Sequence, residues 1–276
     1  MEEKLSSITH WVNHLFGPLA LSLLHALGIQ PANYDAPIPE YVVMSLIVLV
    51  IGTLIALILR ARLSVDRPGP LQQTAELLLT NPMGFGIKDL LEENVGHEAD
   101  KFIAFTGSVS IFILLANLLG LFPSLSSPTG IAVVPLACAI LTFIYFNWQG
   151  VRHHGLGHYL LTFAGSPKSA GDWILAVLLF PVEFVSTAAR LLSLTLRLWA
   201  NIFASDLIYV IFLGLLVAPA QWGWAKNPIL GMAIGAFPVL FPLVFIALHI
   251  FVSVIQAYIF TVLPAIYLGI ATADEH

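Results

Sequence analysis

From Pro228 to Ala273 the chain runs for 46 residues without a charged side chain, and His249 is the one group in that run that titrates near neutral pH. A bilayer core takes roughly 20 apolar residues per helical crossing, so this run is longer than one crossing needs. It is not isolated. Tyr41–Leu59 carries no charge and stops at Arg60 and Arg62. Phe102–Pro123 and Ile131–Trp148 follow, and Trp173–Pro219 is apolar but interrupted by ionisable groups. Each stretch is too long for a strand, and none alternates as a barrel strand must. Within hydrocarbon every backbone N–H and C=O needs a partner inside the chain, and a helix supplies all of them. The sequence therefore predicts an all-α integral membrane protein with five passes.

Composition enters as an exclusion. Only 10% of the 276 residues are charged, against about 25% in an ordinary globular domain. A compact soluble fold would have too little polar surface. The net charge of −5, with no basic patch, speaks against a nucleic-acid partner. The single cysteine, Cys138, lies in an apolar run and forms no internal disulfide; it reads as a small buried hydrophobe. The start, MEEK, is not the basic region of a cleaved signal peptide. Within residues 1–35, Ile8–Leu27 places Trp11 and several leucines among His10, His14 and His25, the pattern of an interfacial helix. Leu71–Leu91 is expected along the cytoplasmic surface. No repeat is visible, and residues 1–276 read as one membrane domain.

Orientation follows from lysine and arginine. Arg60, Arg62, Arg67, Lys88, Lys101, Arg152 and Lys168 fall on one side, Lys4 and Lys226 on the other. The positive-inside rule puts the basic side in the cytoplasm, so the N-terminus is expected outside and the C-terminus inside.

The fourth stretch keeps charges where they are costly. Each costs at least about 2.5–3.5 kcal/mol at the bilayer centre. Glu183, Arg190 and Arg197 recur every seven residues, which makes one helical stripe. Asn201 lies one turn past Arg197, and Asp206 follows. Glu183 and Arg190 fit either an internal ion pair or a polar path. Arg197 has no carboxylate within two turns on its own helix, so its counter-charge must come from elsewhere, another subunit included. In the last stretch His249, Ser253 and Gln256 share a face; a hydrogen-bonded structural histidine and a Gln256 that glues helices are the plain readings. Given the orientation, Asp206 and His249 share the outer half of the membrane, while Glu183 and Ser186 lie toward the cytoplasm. Arg197 sits between, as in two offset half-channels separated by a fixed positive charge. The two long helices, 173–219 and 228–273, are expected to be joined by a polar turn, QWGWAKNP. The 32 residues between Pro181 and Gly214 span about 48 Å at helical rise, so a strong tilt is expected in a core about 30 Å thick.

These residues carry a resemblance. SLTLRLWANIFASD (Ser193–Asp206) and LHIFVSVIQAYIFTVLPAIYLGIATADEH (Leu248–His276) are similar to subunit a of the F-type ATP synthases, bacterial type. PGPLQQTAE, ANLLGLFP with SPT, and GVRHHG support it. The resemblance implies the stator proton channel of a rotary ATP synthase, itself non-catalytic, in the bacterial plasma (inner) membrane. Arg197 resembles the arginine that faces the rotor ring. Asn201, Asp206, His249 and Gln256 resemble the outer half-channel, and Glu183 with Ser186 the cytoplasmic one. The implied partners are the c-ring, the subunit b peripheral stalk, the catalytic head and membrane lipids; no cofactor or metal is implied. Three departures stand out. Asp206 replaces a common glutamate, Ala200 replaces a common glycine, and SPTGIAVVPL has Ile131 where an aspartate often stands, with Pro135 expected to interrupt the third span. The rival is a haem- or quinone-binding subunit of a respiratory complex. It wants two histidines deep in the membrane, and only His249 is so placed.

Overall fold

The computed structural model describes residues 6–31, 33–81, 84–122, 125–163 and 170–272. Pro123 and Ala273, the expected ends of two spans, and the basic Lys4 and Lys168 lie outside the described residues. All regular structure among the described residues is helical: α1 (Ser7–Ala26), α2 (Glu40–Ala61), α3 (Pro70–Leu79), α4 (Ile87–Val95), α5 (Ala99–Leu119), α6 (Val133–His154), α7 (Leu156–Phe163), α8 (Ala170–Lys226) and α9 (Pro228–Thr272). Short 3₁₀ turns precede α5 and α6. Among the described residues five stretches are long and apolar enough to cross a membrane: Glu40–Ala61, Ile87–Leu119, Val133–His154, Trp173–Ile208 and Leu243–Thr272.

Two details differ from the sequence reading, and the structure adds a third. Pro135 does not interrupt the third span. It is the third residue of α6, where N–H groups have no intrahelical partner to lose. The polar QWGWAKNP segment is not a turn of that length. α8 continues through Lys226, Asn227 donates its N–H to the Gly223 carbonyl at 3.0 Å, and only the following proline stops the ladder. The 71–91 segment is two helices, α3 and α4. Asp89 caps the second by accepting from the N–H groups of Gly86 (3.2 Å) and Asn81 (2.7 Å).

The chain divides into two compact units: Met1–Leu54, Leu114–Ile131 and Trp199–Ile255 in the first; Ile55–Ile113, Ala132–Leu198 and Gln256–His276 in the second. In the first unit Met44, Val48, Ala116 and Ile202 are buried. The Asn13 carboxamide clamps the strand-like approach to α2. It donates to the Ile38 carbonyl (3.0 Å) and accepts from the Ile38 N–H (2.9 Å). Trp11, Leu15, Leu19 and Leu23 form an exposed i, i+4 stripe on α1.

In the second unit the core is Ile87, Leu91, Phe102, Phe146, Ala265 and Leu268. Two glycines permit its close approaches. A Cβ on Gly269 would stand 2.3 Å from the Asn94 carbonyl oxygen at the end of α4, and one on Gly150 would stand 2.3 Å from the Tyr159 ring. The Tyr159 hydroxyl donates to Asn147 Oδ1 at 3.0 Å, and burial pushes its pKa up. Thr261 donates to Ser110 Oγ (2.9 Å), which donates to the Ala257 carbonyl (3.1 Å), so α5 and α9 are joined by hydroxyl bonds.

Candidate functional site

In the first unit the 125–131 segment folds back over the end of α5. Ser127 donates to the Ala116 carbonyl at 3.1 Å, and Thr129 donates to Asn117 Oδ1 at 2.5 Å. Ser126 donates to Glu40 Oε1 at 2.9 Å, and the Ser6 N–H donates to Glu40 Oε2 at 3.3 Å. One carboxylate at the start of α2 thus holds two loops. A Cβ on Gly130 would lie 3.6 Å from Asp206 Oδ2, an ordinary contact, so the two residues are neighbours. A cavity of about 400 Å³ opens at this point, lined by Glu40, Tyr41, Ser126, Gly130, Asp206 and Val210.

His249 is buried in the same unit. Its Nε2 lies 3.0 Å from the Asn117 main-chain oxygen and its Nδ1 lies 3.0 Å from Ser205 Oγ. A carbonyl oxygen only accepts, so Nε2 carries a proton whatever the charge of the ring. Ser253 donates to the His249 carbonyl at 2.7 Å, one turn along α9. His249 and Asp206 are close enough to interact electrostatically.

The second unit holds the other acidic group. Glu183 Oε1 accepts from Arg190 Nη2 at 3.2 Å, and the Arg190 guanidinium lies over the Tyr267 ring, 5.3 Å from its centre. The spacing of seven therefore yields an ion pair along one helix. A pocket of about 140 Å³ is lined by Glu183, Thr187, Arg190, Tyr159, Phe146 and Tyr267. Ser186 is half-buried on the same helix.

Arg197 differs from Arg190. It is exposed, and its guanidinium reaches the Ser193 hydroxyl at 3.5 Å; among the described residues no carboxylate lies within ion-pair distance of it. Leu192, Leu196 and Phe203 on the same helix are exposed as well. Asn201 is exposed in the first unit. Gln256 is buried in the second unit, and its Oε1 has no hydrogen-bond partner among the described residues. The structure thus brings His249 and Asp206 into one unit and pairs Glu183 with Arg190.

Sequence reasoning missed Glu40, Ser205, Asn117 and Thr129. Glu40 stands outside every motif, and its partners are 34 and 86 residues away. Ser205 stood inside a quoted motif without a role of its own. Asn117 and Thr129 stood inside quoted motifs, but hydrogen bonds over such separations leave no spacing pattern.

Comparison with known proteins bears on the whole chain. A profile of the family described as ATP synthase A chain matches residues 42–269. An ATP synthase subunit a of Solibacter usitatus (strain Ellin6076) is 42% identical over 264 residues, covering 96% of this chain and 99% of the relative. One from Koribacter versatilis (strain Ellin345) is 37% identical over 265 residues, covering 95% and 94%. One from Chloroherpeton thalassium (strain ATCC 35110 / GB-78) is 30% identical over 274 residues, covering 99% and 78%.

Proposed function

This chain belongs to the ATP synthase A chain family, and we propose that it is the stator proton channel that couples proton flow to rotation of a c-ring. Protons enter from outside by way of Asp206, His249, Asn201 and Gln256. They leave to the cytoplasm by way of Glu183 and Ser186. Between the two, a ring carboxylate carries the proton around the rotor. The ring site gives up its proton near Arg197, because a fixed cation favours the charged form of an acid. Arginine suits the role since it stays charged at any physiological pH. The same cation repels protons that would run straight from one half-channel to the other. Each charge that crosses gains about 2.3 kcal/mol per 100 mV.

The observation that carries this reading is the state of Arg197. It is exposed among apolar side chains of α8 and has no carboxylate partner among the described residues. Lipid is a poor neighbour for such a charge, and a carboxylate on a facing subunit is a good one. The N-terminus lies outside, the C-terminus in the cytoplasm, and α8 with α9 forms the tilted hairpin along the ring. Subunit b and the catalytic head complete the assembly. The haem-binding rival is not favoured, since both ring nitrogens of His249 are engaged by protein groups.

Arg197→Ala is expected to abolish ATP-driven acidification of inverted membrane vesicles while the complex still assembles, as judged by subunit content. Full pumping by an assembled Arg197→Ala complex would overturn the proposal.

A further inference from the structure

We infer that the second unit holds a site for an anionic phospholipid: Arg152 and its neighbours take the headgroup phosphate, and the exposed face of α6 takes an acyl chain. The inference goes beyond the proton-channel reading and does not depend on it. Three helix ends meet at the site. α5 begins at Ala99, α6 ends at His154 and α9 ends at Thr272. A cavity of about 450 Å³ lies among these ends, lined by Glu98, Lys101, Gln149, Arg152, His153 and Thr272. All of these residues belong to the second unit. Membrane-crossing helices end at the level of the lipid headgroups, so the cavity stands at the height of a phosphate.

Charge decides what the cavity can hold. Lys101 and Glu98 form an ion pair and cancel each other. Arg152 is exposed, and among the described residues no carboxylate lies within ion-pair distance of it. One cation is therefore left over, and its planar fork of N–H donors matches the oxygens of a phosphate. The exposed His153 ring beside it supplies an N–H whatever its charge, and the Gln149 carboxamide supplies further donors. Toward the membrane from Arg152, the exposed positions of α6 continue at Trp148, Ile144 and Leu141. Spacings of four, four and three put them on one helical face. A tryptophan one turn inward from the charge matches the aromatic belt of a membrane boundary. Leu141 lies eleven residues before Arg152, about 16 Å at helical rise, against about 15 Å for half a bilayer core. A cationic head site, a boundary residue and an apolar track the length of one acyl chain thus lie in line. A free phosphate would use only the first of these, and a zwitterionic lipid brings a cation that Arg152 repels.

The test uses the whole complex, reconstituted in phosphatidylcholine vesicles that contain a little phosphatidylglycerol with a photoreactive group near the end of one acyl chain. Mass spectrometry reads the adducts on α6, with adducts elsewhere on the subunit as the internal standard. A matched phosphatidylcholine probe and added inorganic phosphate are the comparison arms. The phosphatidylglycerol probe should label the parent around Leu141 and Ile144, more strongly than the phosphatidylcholine probe does, and inorganic phosphate should not compete. Arg152→Gln should lower this labelling about fivefold, the worth of one basic side chain at an anionic headgroup. Arg152→Lys, which keeps the charge, should retain most of it. Absence of α6 adducts in the parent overturns the inference, and so does equal labelling by the two probes, which marks ordinary surrounding lipid. Competition by inorganic phosphate marks a free-anion site and overturns the lipid assignment. Unchanged labelling in Arg152→Gln also overturns it and leaves Arg152 as a favourable charge at the C-terminal end of α6. Should Arg152→Gln fail to assemble, the two probes and phosphate competition on the parent decide.

Discussion

The two units treat their acidic groups in opposite ways. In the second, Glu183 is bound to Arg190 at 3.2 Å, and the cation is itself stacked over Tyr267. In the first, Asp206 lines a cavity of about 400 Å³ while the nearby imidazole is held by a hydroxyl and a carbonyl. A carboxylate fixed by a permanent cation is stabilised in one charge state. The Asp206 carboxylate faces a cavity instead of a guanidinium. On the function proposed above, the difference teaches that proton uptake and proton release need not use the same chemistry: one region sets its carboxylate at a cavity, and the other ties its carboxylate to a guanidinium beside a pocket of about 140 Å³.

The largest effect is expected where exchange is the job. Asp206→Asn and His249→Ala should each lower passive proton flux through the membrane sector by about a hundredfold or more. The double variant should cost little more than the worse single one, because the two act as one unit. Losses that add strictly in log flux would break the comparison by giving the residues independent roles. Unchanged flux in all three would make His249 a packed structural residue.

A smaller effect is expected at the ion pair. Arg190→Met alone leaves Glu183 without its cation. Removing one partner of a buried pair costs about 3–5 kcal/mol, but Arg190 is 32% and Glu183 41% exposed, so solvent screening lowers the expected loss to about 1 kcal/mol. The readout is the temperature at which the subunit leaves the detergent-solubilised complex. Glu183→Gln combined with Arg190→Met should recover most of that loss and still slow proton release. A double variant as unstable as Arg190→Met would show that the guanidinium serves Tyr267 rather than Glu183.

Much of this fold was legible because hydropathy sums over twenty residues and tolerates errors at the ends. The span expected at 41–59 is found within Glu40–Ala61, and that at 131–148 largely within Val133–His154. Periodicity also sufficed for Glu183 and Arg190, since both lie on one helix. The limits were local. Pro135 looked like a break until its place in the first turn was known. The polar QWGWAKNP segment suggested a turn, yet α8 runs on to Lys226 because nothing in QWGWAK removes a backbone donor. The site was less legible than the fold for a different reason. Ser205 and His249 are 44 residues apart and Asn117 and His249 are 132 apart, and no one-dimensional spacing marks such pairs.

The central claim is that the two polar regions open to opposite sides of the membrane. Single cysteines at Asp206, His249, Glu183 and Ser186, in a background lacking Cys138, test it most directly by reaction with a membrane-impermeant thiol reagent applied to each face. The account predicts that Asp206→Cys and His249→Cys react from outside, and that Glu183→Cys and Ser186→Cys react from the cytoplasm. Reversed sidedness, or all four reacting from one face, would contradict it.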